Sequence, residues 1–266
     1  MTRGLTLTGV AILITVVLAA IVGPFLGYDV IADVDASSAL QGPSSTHWLG
    51  TDHAGRDVAW RLLLACGPFV GPGLVACGVC VSFGLPLGAL AGRVGGPVAS
   101  AVRFAFTIVE ALPRFVLVLL ALAIYGNDWW VLAISAGVAY APTLGEAVFE
   151  RMEGLRSAEY LTANRAHGVP EWRLLTVHLL WAGCRRLILR HLLGLFAFFL
   201  VLETTLSYLD FGVQQPNPSW GNMLAFDLDY ADATVWVILA PGAAIWAVLA
   251  ATTWVRAGLS DEHNDG

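Results

Sequence analysis

Ionisable side chains set inside long apolar runs are the residues of this sequence whose presence most needs a reason. A charge in hydrocarbon is costly unless it meets water, a partner or the interior of a helix bundle. They are Glu110, Arg114, Glu146, His191 and Glu203. Glu110 and Arg114 stand four apart beside Pro113, the spacing of an intrahelical ion pair. The competing reading has both lining a path and meeting the charged ends of a solute. Glu146 and His191 lie near the ends of their runs, where snorkelling or interfacial pairing accounts for them. Catalysis would need more. There is no H-E-x-x-H and no G-x-S-x-G. His178 and His191 fall roughly 220° apart around a single helix, too far to share a ligand. Cys77-Gly78-Val79-Cys80 has C-x-x-C spacing without a second pair, and its place inside a run suits small-residue helix packing. His47 and His53, with Asp52 or Asp57, make only a partial metal-ligand set. We expect no catalytic residue and no metal.

The surroundings of these residues decide the class. Of the 266 residues 57% are hydrophobic and 13% charged, half the charge of an ordinary soluble domain. Disorder is excluded by that apolar content. A net charge of -6 argues against nucleic acid as partner. Four scattered cysteines do not make a disulfide framework. All 14 basic residues are arginine, and without lysine the chain cannot hold nucleotide in a G-x-x-x-x-G-K-[ST] loop. We expect no cofactor on this chain; an ATPase of that kind would be another polypeptide.

Runs long enough to cross a bilayer core of about 30 Å lie near Leu5 to Leu26, Gly67 to Ala91, Ala101 to Tyr125, Trp129 to Phe149, Leu187 to Leu209 and Ala233 to Val255. The expected fold is all-α, a polytopic membrane bundle of six transmembrane helices, the first retained rather than cleaved as a signal peptide. With both termini cytoplasmic, the inner side receives most of the arginines and the outer loops only Arg56 and Arg61 beside many aspartates, as the positive-inside rule requires. The division expected is residues 1–66 for the first helix and an outer segment, 67–256 for a five-helix core with inner helices at 150–186, and 257–266 for a polar tail. Gly67, Gly71, Gly73, Gly78, Gly84 and Gly88 should let the second span pack closely, and Pro68, Pro72 and Pro86 should bend or break it.

Three polar segments connect the spans. Gly27 to Ala65 should form an outer cap, with Val58 to Ala65 a short interfacial helix. Glu150 to Arg186 reads as two short helices, capped by Ser157, stopped at Gly168 and restarted at Pro170-Glu171. Such a pair either ties spans together or fits the groove of a soluble partner. In Phe211 to Tyr230, Pro216 and Pro218 exclude helix and favour extended backbone.

Taken together these segments resemble the C-type permease subunit of binding-protein-dependent ABC importers for dipeptides, oligopeptides and nickel. Gly50, Thr51, Asp52, Gly55, Arg56, Asp57, Val58 and Arg61 are similar to that family's L-G-T-D-x-x-G-R-D-V-x-x-R signature. Glu203 to Leu209, Gly212 to Gln214 and Pro216 to Asn222 resemble its E-x-x-L-S-[FY]-L-x-x-G-V-Q-x-P-x-P-S-W-G-N stretch. The inner helix pair resembles its ATPase-docking loop. Tyr160, Ala163, Arg165, Ala166, Gly168, Trp172, Arg173 and His178 stand where that pattern places them, while Thr162 replaces a glutamate, Asn164 an alanine and Trp181 a proline. The resemblance implies a type I importer permease in a bacterial inner membrane. Its partners would be a second homologous permease, two ATP-binding subunits, an extracytoplasmic solute-binding protein and membrane lipid. It further implies ATPase coupling through Tyr160, Thr162, Ala163, Arg165, Gly168, Trp172, Arg173 and His178, and subunit contacts at Glu203, Pro216, Trp220 and Gly221, leaving Glu110 and Arg114 as candidate pathway residues. A diverged scaffold that no longer transports, or an importer of nickel or another small solute, is the alternative.

Overall fold

The computed structural model describes residues 2–28, 33–155, 184–230, 232 and 234–261. Among them every long element is helical: α1 (Thr2–Val22), α2 (Val58–Leu64), α3 (Gly67–Val94), α4 (Gly96–Glu110), α5 (Arg114–Tyr125), α6 (Trp129–Leu155), α7 (Cys184–Tyr208), α8 (Trp220–Asp227) and α9 (Trp236–Asp261). The expected inner helix pair, with all eight proposed coupling residues, lies outside the described residues.

One compact unit comprises Met1–Leu74 and Ala197–Gly266, the other Val75–Phe196. In the first, α1 and α9 lie side by side because Gly9 and Gly258 carry no side chain: a Cβ on Gly9 would stand 2.7 Å from the Ala251 carbonyl oxygen, and one on Gly258 would strike Thr6. In the second, α3 and α6 touch backbone to backbone. A Cβ on Gly84 would stand 2.5 Å from the Ala141 oxygen, one on Gly137 2.6 Å from the Ala76 oxygen, and one on Gly88 would overlap the Gly145 carbonyl. Close helix approach through small residues is how membrane bundles gain van der Waals contact without help from water. The close contacts in α3 are therefore at Gly84 and Gly88, and also at Gly92 against Met152. Gly67, Gly71 and Gly78 face open space instead.

Two sequence expectations are corrected. The prolines of α3 do not break it: the helix is continuous from Gly67 to Val94. Pro68 sits in its first turn, where a missing N–H has no partner to lose. The break falls in the third span, which is not one helix over Ala101 to Tyr125. It is α4 and α5, bent by 76° across residues 111–113. Pro113 explains it. Proline lacks the N–H that would continue the ladder and pushes its preceding residue away from helical angles.

Five helices are long and apolar enough to cross a membrane, six if the bent pair makes one crossing. Contacts inside the first unit decide between these counts. Residues 53 and 56, which follow α1, bond Asp227 and Gln215, which follow α7. The two segments therefore share one side of the membrane, so an even number of crossings separates them. With α3, α6 and α7 each crossing once, the α4–α5 pair must cross as well. Six spans result.

Candidate functional site

The segment leading into α2 folds tightly around Asp52. Two backbone turns require glycine: Gly50 and Gly55 have φ of +77° and +80°, and a Cβ on either would collide with the carbonyls of Gln41 and Asp35. The Thr51 hydroxyl donates to the Ser38 carbonyl and accepts from the Gln41 N–H at 2.9 Å. One Asp52 carboxylate oxygen accepts from the N–H groups of Ala54 and Arg56, each at 2.9 Å. The other accepts from Arg56 Nε at 2.7 Å and faces Arg61 Nε at 3.4 Å. Asp57 caps α2 by accepting from the Trp60 N–H at 3.0 Å, and its second oxygen pairs with His47 Nδ1 at 2.8 Å.

This fold clamps the segment that follows α7. Arg56 donates to Gln215 Oε1 at 2.7 Å, and Trp220 Nε1 donates to the Leu62 carbonyl at 3.1 Å. His53 Nδ1 lies 2.6 Å from the buried Asp227 carboxylate while its ring stacks on Tyr230 at 5.4 Å. The second segment is itself fixed by a reciprocal cap, in which Ser219 accepts from the Asn222 N–H and Asn222 accepts from the Ser219 N–H. Asn222 Nδ2 also donates to the carbonyls of Val213 and Asn217. Ser207 donates to Glu203 at 2.6 Å and accepts from the Val213 N–H. Gly221 packs where a Cβ would strike the Thr204 carbonyl. Glu203, Trp220 and Gly221 are thus buried inside the chain, whereas Pro216 is exposed. The two sequence motifs, far apart in the chain, form one interlocked structure.

Donor atoms of Asp52, His53 and Asp227 lie within 4.8 Å of one another, which is close enough to hold a cation. The donor set argues for ion pairing instead, because both Asp52 oxygens already serve Arg56 and neighbouring N–H groups. Burial raises the pKa of Asp227 above its ordinary 3.8, and the hydrogen bond from His53 opposes the rise only in part. A raised acid binds its proton more tightly folded than unfolded, so its contribution to stability declines as pH rises from 3.8 through the elevated value. Asp227→Asn should flatten that part of the stability curve, read from unfolding midpoints across an acid-to-neutral pH series. An unchanged slope would assign the pH dependence to other groups.

Of the ionisable residues in the spans, Glu110, Arg114, Glu146 and His191 belong to the second unit. Glu110 and Arg114 are not a pair on one helix, because the break at Pro113 separates them. Thr143 of α6 joins them: Arg114 Nη2 donates to its hydroxyl at 2.6 Å, and the hydroxyl donates to Glu110 Oε1 at 3.2 Å. The guanidinium also lies 4.6 Å over the Tyr140 ring. Glu146 accepts from Arg103 Nε at 3.1 Å, and His191 Nδ1 contacts the Leu187 carbonyl one turn back. Thr143, Tyr140, Asp227 and Gln215 carried no local signal of these roles; only the fold brings them to their partners.

No arrangement of nucleophile, base and oxyanion donors occurs among the described residues; what is built is a hydrogen-bonded clamp in the first unit and a broken, charged membrane span in the second. Residues 84–261 match the family model for the binding-protein-dependent transport system inner membrane component. The chain is 30% identical to a dipeptide transport system permease protein of Alkalihalophilus pseudofirmus over 97% of its own length and 84% of the relative's. It is 28% identical to a probable D,D-dipeptide transport system permease protein of Escherichia coli, over 91% of this chain and 80% of that one. With a glutathione transport system permease protein of Pectobacterium atrosepticum the identity is 26%, over 91% and 78%. The chain belongs to the inner membrane components of binding-protein-dependent transport systems, and is a multi-pass ABC importer permease of the type I fold.

Proposed function

We propose that this permease carries peptides and forms half of a translocation pathway, the other half coming from a second, homologous permease. The observation that carries the substrate class is the near full-length likeness to a dipeptide transport permease, supported by relatives named for D,D-dipeptides and glutathione. Two ATP-binding subunits would dock on the inner helix pair through Tyr160, Thr162, Ala163, Arg165, Gly168, Trp172, Arg173 and His178, and their closure would tilt that pair as a lever. ATP stays on those subunits. A solute-binding protein would deliver cargo on the side of the Asp52 clamp, with Pro216 exposed there. The arginine asymmetry supports an inner bacterial membrane with both chain ends cytoplasmic. The clamp, with Gly50, Thr51, Asp52, Gly55, Arg56, Asp57 and Arg61, would hold the delivery side fixed while the spans move.

Purification of the tagged chain from its native membrane in mild detergent tests the assembly. A second permease and ATP-binding chains should co-elute with ATPase activity. A chain that elutes alone and inactive would contradict the reading.

A further inference from the structure

The break in the third span is the place where this structure departs furthest from what hydrocarbon tolerates. The pair α4 and α5, 15 and 12 residues long, places the break near the middle of the crossing. Residues 110–113 are all exposed, Leu112 by 44%. Non-helical backbone at membrane depth persists only where it is buried in protein or lines a water-filled cavity. Among the described residues nothing of its own chain buries it. Glu110 at the same spot sharpens the point, since an exposed carboxylate facing lipid tails would be more costly than the backbone. No side chain caps the start of α5, so its first N–H groups open on the same place as Arg114.

We propose that Glu110, Thr143 and Arg114 form a station on the transport path that reads the two ends of a zwitterionic peptide. The peptide's ammonium meets Glu110, and its carboxylate meets Arg114. This rests on the importer reading above and names what the path recognises. The Thr143 hydroxyl holds the two charges one bridging group apart, and Tyr140 holds the guanidinium from its other side. One dipeptide, about 7 Å when extended, reaches both. Arg114 uses one of its five N–H donors on Thr143, which leaves donors for a carboxylate. A single opposite-charge pair would satisfy itself. Holding the charges apart through a hydroxyl keeps each available to a ligand.

The test uses the whole importer in proteoliposomes, with Glu110→Cys or Leu112→Cys in this chain, and a water-soluble methanethiosulfonate as the probe. Wild type, with Cys66, Cys77, Cys80 and Cys184, serves as the blank. Both introduced thiols should react. Alanyl-alanine at about ten times its dissociation constant should slow the reaction at Leu112→Cys roughly tenfold, as occupancy of the site requires, while N-acetyl-alanyl-alanine amide should not. Adding Arg114→Gln should abolish the protection. Unreactive thiols in a complex that retains its ATPases would overturn this proposal alone, and so would equal protection by both peptides. A wild-type chain that purifies without ATPases would overturn the importer reading and the station with it.

Discussion

Asp52→Ala is expected to destabilise the protein by about 3–5 kcal/mol, the cost of removing one partner of a buried ion pair. Arg61 is fully buried, and its three guanidinium nitrogens find no hydrogen-bond acceptor among the described residues. Asp52, itself 1% exposed, is the carboxylate in ion-pair contact with it. Without Asp52 a charge is stranded, Arg56 loses its partner, and the N–H groups of Ala54 and Arg56 lose their acceptor. The loss should show as a lowered unfolding midpoint in detergent and as poor recovery of folded protein from membranes. Asp52→Ala combined with Arg61→Met should recover part of it, because the double change removes both charges and keeps an apolar stem. A single variant within about 1 kcal/mol of wild type, the range of exposed pairs, would show that the clamp is held by other contacts.

Trp220→Ala should cost a comparable amount, about 3–5 kcal/mol for a large aromatic removed from a packed site. The side chain is 2% exposed, its ring centroid lies 4.7 Å from that of Phe69, and its indole N–H is bonded to Leu62. It fastens the segment after α7 to both α2 and α3. Trp220→Phe narrows the contributions: a six-membered ring is kept, while the bond to Leu62 and the pyrrole half of the indole are lost, so the change should be smaller than that of Trp220→Ala. Equal damage by both substitutions, measured as unfolding midpoints, would assign the anchor to the indole N–H and pyrrole edge rather than to the six-membered ring.

The elements of this fold are largely legible in the sequence because hydrocarbon imposes a simple length rule, and five of the six runs became helices close to where apolar length placed them. The third did not. Apolarity says that residues 101–125 can cross a membrane, but only the backbone chemistry of Pro113 says that they cross as two helices, and the sequence reading gave the break to the prolines of α3 instead. Pro68 was harmless because it fell in a first turn. The same break removes the intrahelical-pair reading of Glu110 and Arg114: a spacing of four implies one face only while the helix continues. The motif residues Gly50, Asp52, Arg56 and Arg61 were visible as a pattern, yet their reason was not. Arg56 meets Gln215 and His53 meets Asp227 across spacings of 159 and 174 residues, which no local periodicity encodes.

The most direct measurement of the account is uptake of a radiolabelled dipeptide by proteoliposomes holding this permease with its partner permease, ATP-binding subunits and binding protein. Accumulation that requires ATP and the binding protein, and that falls away when this chain is omitted, is the predicted result. Uptake that proceeds equally without this chain, or none from a complex that still hydrolyses ATP, would contradict its role as half of a peptide pathway.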